Sequence, residues 1–179
     1  TIEINLNETI HWPDTNGAGT AGVIYLGGAG GVGGQPFIHN FGATGGVDEN
    51  AFLGRNAGSF TSTGLGNTGI GNLVMTSYST GTGNTAMGSR ALSDLDTGLS
   101  NVAIGINALS NCNDGDSNTA IGSNTAVLFD LGIFNTFIGC NSGGSNNLTG
   151  DFNTCLGGNS GVSLDTTDSS NIYIRNNGL

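Results

Sequence analysis

The sequence NVAIGINAL (Asn101–Leu109) is the most informative part of the chain, because close copies of its first five residues recur along it. Successive copies are separated by 17 residues five times and then by 18 residues twice. Tandem units of nearly constant length are the sequence signature of a repeat protein, in which each unit packs on its neighbours. Aligned on the Asn, the copies are NAFLG at Asn50, NTGIG at Asn67, NTAMG at Asn84, NVAIG at Asn101, NTAIG at Asn118, NTFIG at Asn135, NTCLG at Asn153 and NIYIR at Asn171.

Each unit is numbered from its Asn, which is position 0, and two kinds of residue recur at fixed positions. Position 3 is always apolar, whereas position 4 is Gly in every unit except the last, where it is Arg175. A second Gly recurs at position 14, or at position 15 in the longer unit that contains Gly150. A unit this short with two glycines does not accommodate a helix. We therefore predict an all-β solenoid over residues 50–179, with eight coils that each contain two short strands and two turns.

The strand in each unit has two faces, since side chains alternate and positions 1 and 3 point to the side opposite position 2. Position 3 is uniformly apolar, which predicts that it faces the interior of the coil. Position 2 is small or aromatic and uncharged in every unit, which predicts that the second face is buried as well. A single narrow solenoid has only one interior. The second buried face therefore indicates a neighbouring copy of the chain.

The Asn at position 0 is predicted to have a structural role at a corner of the coil. Its side-chain amide can bond the same group in the coils above and below, as in other stacked β structures. Asn also tolerates the left-handed backbone that a sharp corner requires. The eight residues assigned this role are Asn50, Asn67, Asn84, Asn101, Asn118, Asn135, Asn153 and Asn171.

Residues 1–49 do not repeat and form a separate region of the chain. Thr1–Ile10, TIEINLNETI, alternates apolar and polar residues and predicts a strand with one buried face. Glycine-rich stretches then separate VIYLGG (Val23–Gly28) from PFIHNFG (Pro36–Gly42). Because an open coil end is an unpaired strand edge, this region is predicted to be a cap or a fibre junction.

The charge balance excludes several kinds of partner. The chain contains 13 acidic residues and only 3 basic ones, for a formal charge of −10. Such a chain cannot neutralise phosphates, so we predict no nucleic-acid partner. Its apolar runs are also too short to insert into a membrane.

No group of residues in the repeats predicts catalysis or a cofactor. The two histidines, His11 and His39, lie outside the repeats, and neither has a nearby Cys or an acid at metal-ligand spacing. The patterns GxSxG and HExxH do not occur. Cys112, Cys140 and Cys155 occupy three different positions of the repeat, which is typical of small buried hydrophobic residues rather than of a disulfide framework. We predict that the chain is not an enzyme.

Two sets of residues are nevertheless candidates for a binding site. Paired acids in turns, Asp94 with Asp96 and Asp114 with Asp116, are the oxygen-rich arrangement that calcium prefers. Their spacing matches neither an EF-hand nor the calcium-binding nonapeptide repeat, which favours solvated turns. The aromatic residues between the strands can either stack on sugar rings or pack beneath the turns, and these are Phe60, Tyr78, Phe129 and Phe134.

The repeat units resemble a known family. NTAMGSRAL (Asn84–Leu92) and NVAIGINAL (Asn101–Leu109) are similar to the head repeats of trimeric autotransporter adhesins and to related repeats of bacterial and phage tail-fibre-like proteins. The stretch from Gly34 to Gly54 resembles the segment that often introduces such repeats, so the resemblance covers about residues 35–179. It implies a left-handed parallel β-roll, assembled as a homotrimer in an extracellular surface or virion fibre. Arg175 departs from the motif, which predicts a cap or a truncated coil there.

These observations favour a non-enzymatic structural or adhesive fibre segment that displays, or mediates attachment to, a cell surface, a glycan or a protein receptor. A passive spacer and a calcium-binding solenoid are alternatives. A further alternative is an ice-binding solenoid, because Thr recurs at position 1. However, position 1 lies on the same side of the strand as position 3, which predicts that this Thr row faces inward. A hexapeptide-repeat acyltransferase would need its apolar motif every six residues and a His in the coils, and the repeats have neither. The Thr row consists of Thr68, Thr85, Thr119, Thr136 and Thr154.

Overall fold

The computed structural model describes residues 24–26, 35–39, 50–59, 61–144, 149–164 and 167–175, with side chains from residue 50 onward. Ten short strands form one sheet in which neighbours follow chain order, and the described residues contain no helix. The described part of the chain therefore has no helix that is long and apolar enough to cross a membrane. The strands are β1 (Ile24–Leu26), β2 (Gln35–His39), β3 (Ala51–Leu53), β4 (Thr68–Ile70), β5 (Thr85–Met87), β6 (Val102–Ile104), β7 (Thr119–Ile121), β8 (Thr136–Ile138), β9 (Thr154–Leu156) and β10 (Ile172–Ile174).

Strands β3–β10 are parallel and pair in register, so that each residue lies beside its equivalent one repeat further on. Ala103, for example, pairs with Ala120. The all-β solenoid and its 17- to 18-residue coil are thereby confirmed. The eight parallel strands make about seven coils, because a coil is complete only when the chain returns to the next strand.

Each coil contains one regular strand, whereas the sequence predicted two. The remainder of the coil is a series of turns that still bond to the adjacent coils. The N–H of Leu92 donates to the carbonyl of Ala108 at 3.0 Å, and the N–H of Asn107 donates to the carbonyl of Ser89 at 2.9 Å. Left-handed residues at positions 6 and 8, such as Asn107 and Leu109, curve this part of the backbone and prevent a second straight strand.

The two strands before the repeats pair antiparallel instead of parallel. β1 pairs antiparallel with β2, and β2 pairs antiparallel with β3, with His39 opposite Phe52. β2 therefore covers the strand edge of the first coil, which would otherwise leave backbone groups unpaired. The strand predicted over Thr1–Ile10 lies outside the described residues.

The core is a thin column filled by position 2 and by the turn residues that face it. The side chains at position 2 are buried from β3 to β9, and on the facing side position 11 supplies Tyr78, Leu95, Cys112, Phe129 and Leu164, all at most 2% exposed. Large rings occur where their neighbours are small: a Cβ atom on Gly69 would collide with the ring of Phe52. Phe129 packs edge-on against Phe137, with centroids 5.3 Å apart.

Position 3 points away from this core, so the prediction that it faces the interior is wrong. Ile104 is 36% exposed and Met87 is 46% exposed, whereas Ala103, the residue before Ile104 in the same strand, is 0% exposed. The reason is the width of the column. The space between the strand and the facing turn already holds the side chains of position 11, and therefore only position 2, which is small in most coils, fits inside.

The motif Gly at position 4 follows from close stacking of the coils. Gly105 has φ 135°, and a Cβ atom there would overlap the carbonyl oxygen of Gly122 in the next coil. Both conditions recur from Gly54 to Gly139. A side chain is therefore excluded by the left-handed backbone and by the adjacent main chain together.

Candidate functional site

The outward side of β3–β10 is a continuous uncharged surface, which we call the outer strand face. Six of its position 3 residues are between 36% and 46% exposed, although all of them are Leu, Ile or Met. Position 1 is half-buried or exposed in every strand. The face consists of Ala51, Leu53, Thr68, Ile70, Thr85, Met87, Val102, Ile104, Thr119, Ile121, Thr136, Ile138, Thr154, Leu156, Ile172 and Ile174.

The outer strand face is regular because the strands beneath it are in register. Equivalent residues recur at the inter-strand spacing of roughly 4.8 Å, so eight strands extend the face over about 34 Å. Thr or a small apolar residue forms one row, and Ile, Leu or Met forms the other. The acids from Asp94 onward all lie at positions 10 to 16, away from both rows.

The Asn at position 0 lies inside the coil and links each coil to the next. The backbone N–H of Asn101 donates to Oδ1 of Asn84 at 2.8 Å, and its Nδ2 donates to the same oxygen at 3.2 Å. Nδ2 of Asn101 also donates to the carbonyl of Gly115, at position 14 of its own coil, at 2.6 Å. The same three bonds recur at Asn84, Asn118 and Asn135.

This buried column satisfies donors and acceptors that have no access to water. Its backbone is not left-handed at any of the eight Asn residues, which corrects the expectation from the sequence. The left-handed corner lies one residue earlier, where Ser117 has φ 56°. The Asn side chain therefore closes the corner from inside by hydrogen bonding, while its neighbour makes the bend.

The candidate acids bond between coils. Oδ1 of Asp114 accepts the hydroxyl of Thr97 at 2.6 Å, and Oδ1 of Asp116 accepts the N–H of Leu99 at 2.7 Å. Asp96 accepts the hydroxyl of Ser79. Asp94 is exposed. No three His, Cys, Asp or Glu side chains in the described ranges are close enough together to hold a metal ion.

The four candidate aromatic residues have different surroundings. Tyr78 and Phe129 are at most 2% exposed and contribute to the core, which is the packing role, and Phe60 lies outside the described residues. Phe134 is 54% exposed and stacks on Phe152, with centroids 5.4 Å apart and ring planes at 17°. Phe152 was not singled out from the sequence. A usable signal was present, since both rings stand one residue before a motif Asn in successive units.

The buried thiols are not in the reactive, deprotonated form at neutral pH. The pKa of Cys112 is raised to about 12, chiefly by burial; a hydrogen bond with the backbone of Gly115 lowers this pKa, and the nearby Asp130, Asp116 and Asp114 raise it. Burial likewise raises the pKa of Cys155 to about 11. Because a thiolate is the reactive form, both residues behave as small apolar side chains at neutral pH. All three cysteines are free, and Cys140 is exposed.

Comparisons with models of protein families, with curated proteins and with solved structures found no match for this chain. The register of its eight parallel strands and the buried Asn column define it as a β-solenoid repeat protein. The surface feature that recurs in every coil of this solenoid is the outer strand face.

Proposed function

We propose that the chain is a non-enzymatic segment of a homotrimeric fibre, in which the outer strand faces of three copies pack against one another. The observation that supports this proposal is the exposure of Ile, Leu and Met at position 3 in successive coils, with no charged residue at position 1 or 3. Contiguous exposed apolar surface of this length is typical of protein–protein contacts. The threefold number and the left-handed roll follow from the resemblance of NTAMGSRAL and NVAIGINAL to fibre repeats.

The energy available from the outer strand face is of the right order for association. Covering the exposed part of one position 3 side chain contributes about 1–2 kcal/mol, so eight of them contribute on the order of 10 kcal/mol. Association costs about 4–15 kcal/mol in lost freedom of motion. The two terms are comparable, and therefore the interface needs nearly the full length of the rod. The acids in the described part of the repeats do not oppose it, because they lie in turns away from the face.

The test of this proposal is the mass of the chain in solution. Light scattering on the purified segment should give about three times 17.9 kDa. Ile104→Asp should produce a folded monomer, because Ile104 lies on the outer strand face. Ile106→Asp is the matched control, since Ile106 is 55% exposed at position 5 of the same coil and outside the face. A parent chain that remains monomeric at high concentration would contradict the trimer.

In such a fibre, on a cell or on a virion, the segment would either display its neighbouring domains or mediate attachment itself. A passive spacer is the simplest form of the same proposal. An assay with the trimer immobilised alone separates the two, because a spacer retains no cell or glycan when its neighbouring domains are absent.

Ice binding is a second candidate function, and one observation favours it. The sequence predicted an inward Thr row, but Thr68, Thr119 and their equivalents lie on the outer strand face. Flat, regularly spaced Thr rows are the type of surface that ice-binding solenoids present. The two functions exclude each other, since a trimer buries this face. Thermal hysteresis of a monomeric chain would favour ice binding, whereas a trimer without hysteresis favours the fibre.

A further inference from the structure

One corner of the solenoid has an exposed aromatic pair, which we call the aromatic step, formed by Phe134 and Phe152. The rings are 54% and 55% exposed and nearly parallel. Neither ring belongs to the hydrophobic core. Exposure of two adjacent phenylalanines leaves apolar surface in water with no benefit to the packing of the coil.

The backbone at the aromatic step makes this choice of residue more unusual. Phe134 has φ 56° and Phe152 has φ 59°, a left-handed conformation that bulky side chains rarely adopt. Other coils place Gly or Ser at the same corner, as Gly83, Ser100 and Ser117 show. The aromatic residues are therefore exposed at a corner where small residues serve the fold, which is the pattern expected of a functional surface.

The outer faces of the two rings adjoin small side chains. In the coils before Phe134 the corner residues are Ser117 and Ser100, and in the coil after Phe152 the corner residue is Ser170. Hydroxymethyl groups do not cover a phenyl ring. The outward face of each ring is therefore open, and a flat molecule can stack on it. We call these two ring faces, next to Ser117 and Ser170, the shelves of the aromatic step.

Hydrogen-bonding groups lie close to the aromatic step. The carbonyl of Asp116 accepts the N–H of Phe134 at 3.1 Å, and the carbonyl of Asp151 accepts the N–H of Ser170 at 2.8 Å. Each carboxylate uses Oδ1 for a backbone N–H of the preceding coil, that of Leu99 or Ile133. A carboxylate accepts several hydrogen bonds, so Oδ2 remains for a ligand. The shelf at Ser117 thus combines the face of Phe134, a carboxylate oxygen of Asp116 and a serine hydroxyl, whereas the carboxylate of Asp151 lies on the side of Phe152 that faces Phe134.

We propose that the aromatic step is a binding site for a neutral carbohydrate. The C–H groups on one face of a pyranose ring carry partial positive charge and stack on the negative face of a phenyl ring. On the Ser117 shelf the sugar hydroxyls then donate to Oδ2 of Asp116. A neutral sugar fits because a chain with a net charge of −10 repels acidic ligands.

A second copy of the chain is a poorer occupant of the aromatic step. The trimer rows at positions 1 and 3 continue through every coil, whereas the corner is aromatic in only two coils. The site rests on the proposed attachment function and names its ligand class, and the fibre adds avidity by presenting three copies to one surface.

The test uses saturation-transfer NMR and a panel of immobilised neutral gluco-, galacto- and manno-oligosaccharides. The parent protein should bind at least one of them. Phe134→Ser combined with Phe152→Ser restores the small residue of the neighbouring coils and should reduce binding at least tenfold without lowering Tm. Ile106→Ser, at another exposed apolar residue, is the matched control and should leave binding unchanged. Asp116→Asn should weaken binding less than removal of the rings.

Light scattering on the same samples separates this site from the fibre proposal. A monomer that binds sugar through the two rings would contradict the fibre and leave the site standing. A trimer that binds none of the sugars, or binds only acidic glycans or a protein, would overturn the site and leave the fibre. If the Phe134→Ser, Phe152→Ser variant loses its trimeric mass, the aromatic step is part of the subunit interface and the proposal is wrong.

Discussion

The two sides of the same three-residue strands differ in a way that hydrophobicity alone does not explain. The inner side at position 2 contains Ala86, Ala103 and Ala120, which are at most 1% exposed. The outer side at position 3 contains the bulkier Met87 and Ile104, which are more than a third exposed. Volume, rather than apolarity, selects the inner residue, because the interior is one side chain wide. The larger apolar residues then lie on the outer strand face.

Loss of the inner Asn column should have the largest effect on stability. Asn101→Ala removes the acceptor for two bonds from Asn118 and leaves the buried carbonyl of Gly115 without its donor. Each unsatisfied buried group costs about 1–3 kcal/mol, so we expect a loss of roughly 4 kcal/mol in the free energy of unfolding. Urea denaturation at constant protein concentration measures it. Asn113→Ala is the control, because Asn113 is exposed, and an equal loss there would contradict a special role for the column.

Enlargement of the inner row should have the next largest effect. Ala103→Leu adds three carbons at a site that is 0% exposed, and overpacking of this kind costs about 3 kcal/mol. Val102→Leu, at the adjacent residue on the outer strand face, should change the free energy of unfolding by less than about 1 kcal/mol. The difference between the two urea midpoints tests whether the interior is as narrow as the structure indicates. Equal midpoints would mean that the column can expand.

The buried thiols should make the solenoid less stable at alkaline pH. The folded pKa of Cys112, about 12, is above its ordinary value of 9.0, so the folded state retains a proton that the unfolded state loses. The stabilisation is complete below pH 9 and declines as the pH rises towards 12, and on the order of 1 kcal/mol is lost by pH 10.

Thermal melts at pH 7 and pH 10 measure this effect. Cys112→Ala should reduce the difference between the two melting temperatures, since Ala does not ionise. Cys140→Ala should not change that difference, because Cys140 is exposed. A parent protein whose stability is constant from pH 7 to pH 11 would contradict the buried state of Cys112 and Cys155.

The smallest effect is expected in the acidic turns. Asp114→Asn retains an oxygen that can accept the hydroxyl of Thr97, so the free energy of unfolding should change by only a few tenths of a kcal/mol. Calcium titration of the melting temperature checks the alternative. If EDTA lowers Tm and calcium restores it in the parent protein but not in Asp114→Asn, the acids are ligands and the interpretation as solvated turns is wrong.

The candidate sites could be predicted only in part. Phe134 was predictable as an aromatic residue between strands, but its stacking on Phe152 was not, because the two are 18 residues apart and meet only when the coils are in register. The sequence also grouped Tyr78 and Phe129 with Phe134. Position 11 faces the interior and the residue before the Asn faces the solvent, and this distinction depends on where the backbone bends.

The repeat length, the all-β class and the strand at positions 1–3 could be predicted from the sequence, because these follow from local spacing and from the two glycines that recur in each unit. The alternation of side chains along a strand also predicts that positions 1 and 3 lie opposite position 2, but it does not specify which of the two sides faces the interior. The structure was needed to show which side of the strand faces the interior. That choice depends on the space left by residues such as Leu95 and Phe129, which lie nine residues along the chain from the Ala at position 2 and meet it across the coil. Packing volume between distant residues is a property of the closed coil, and this is why Ile104 lies on the surface and Ala103 in the core.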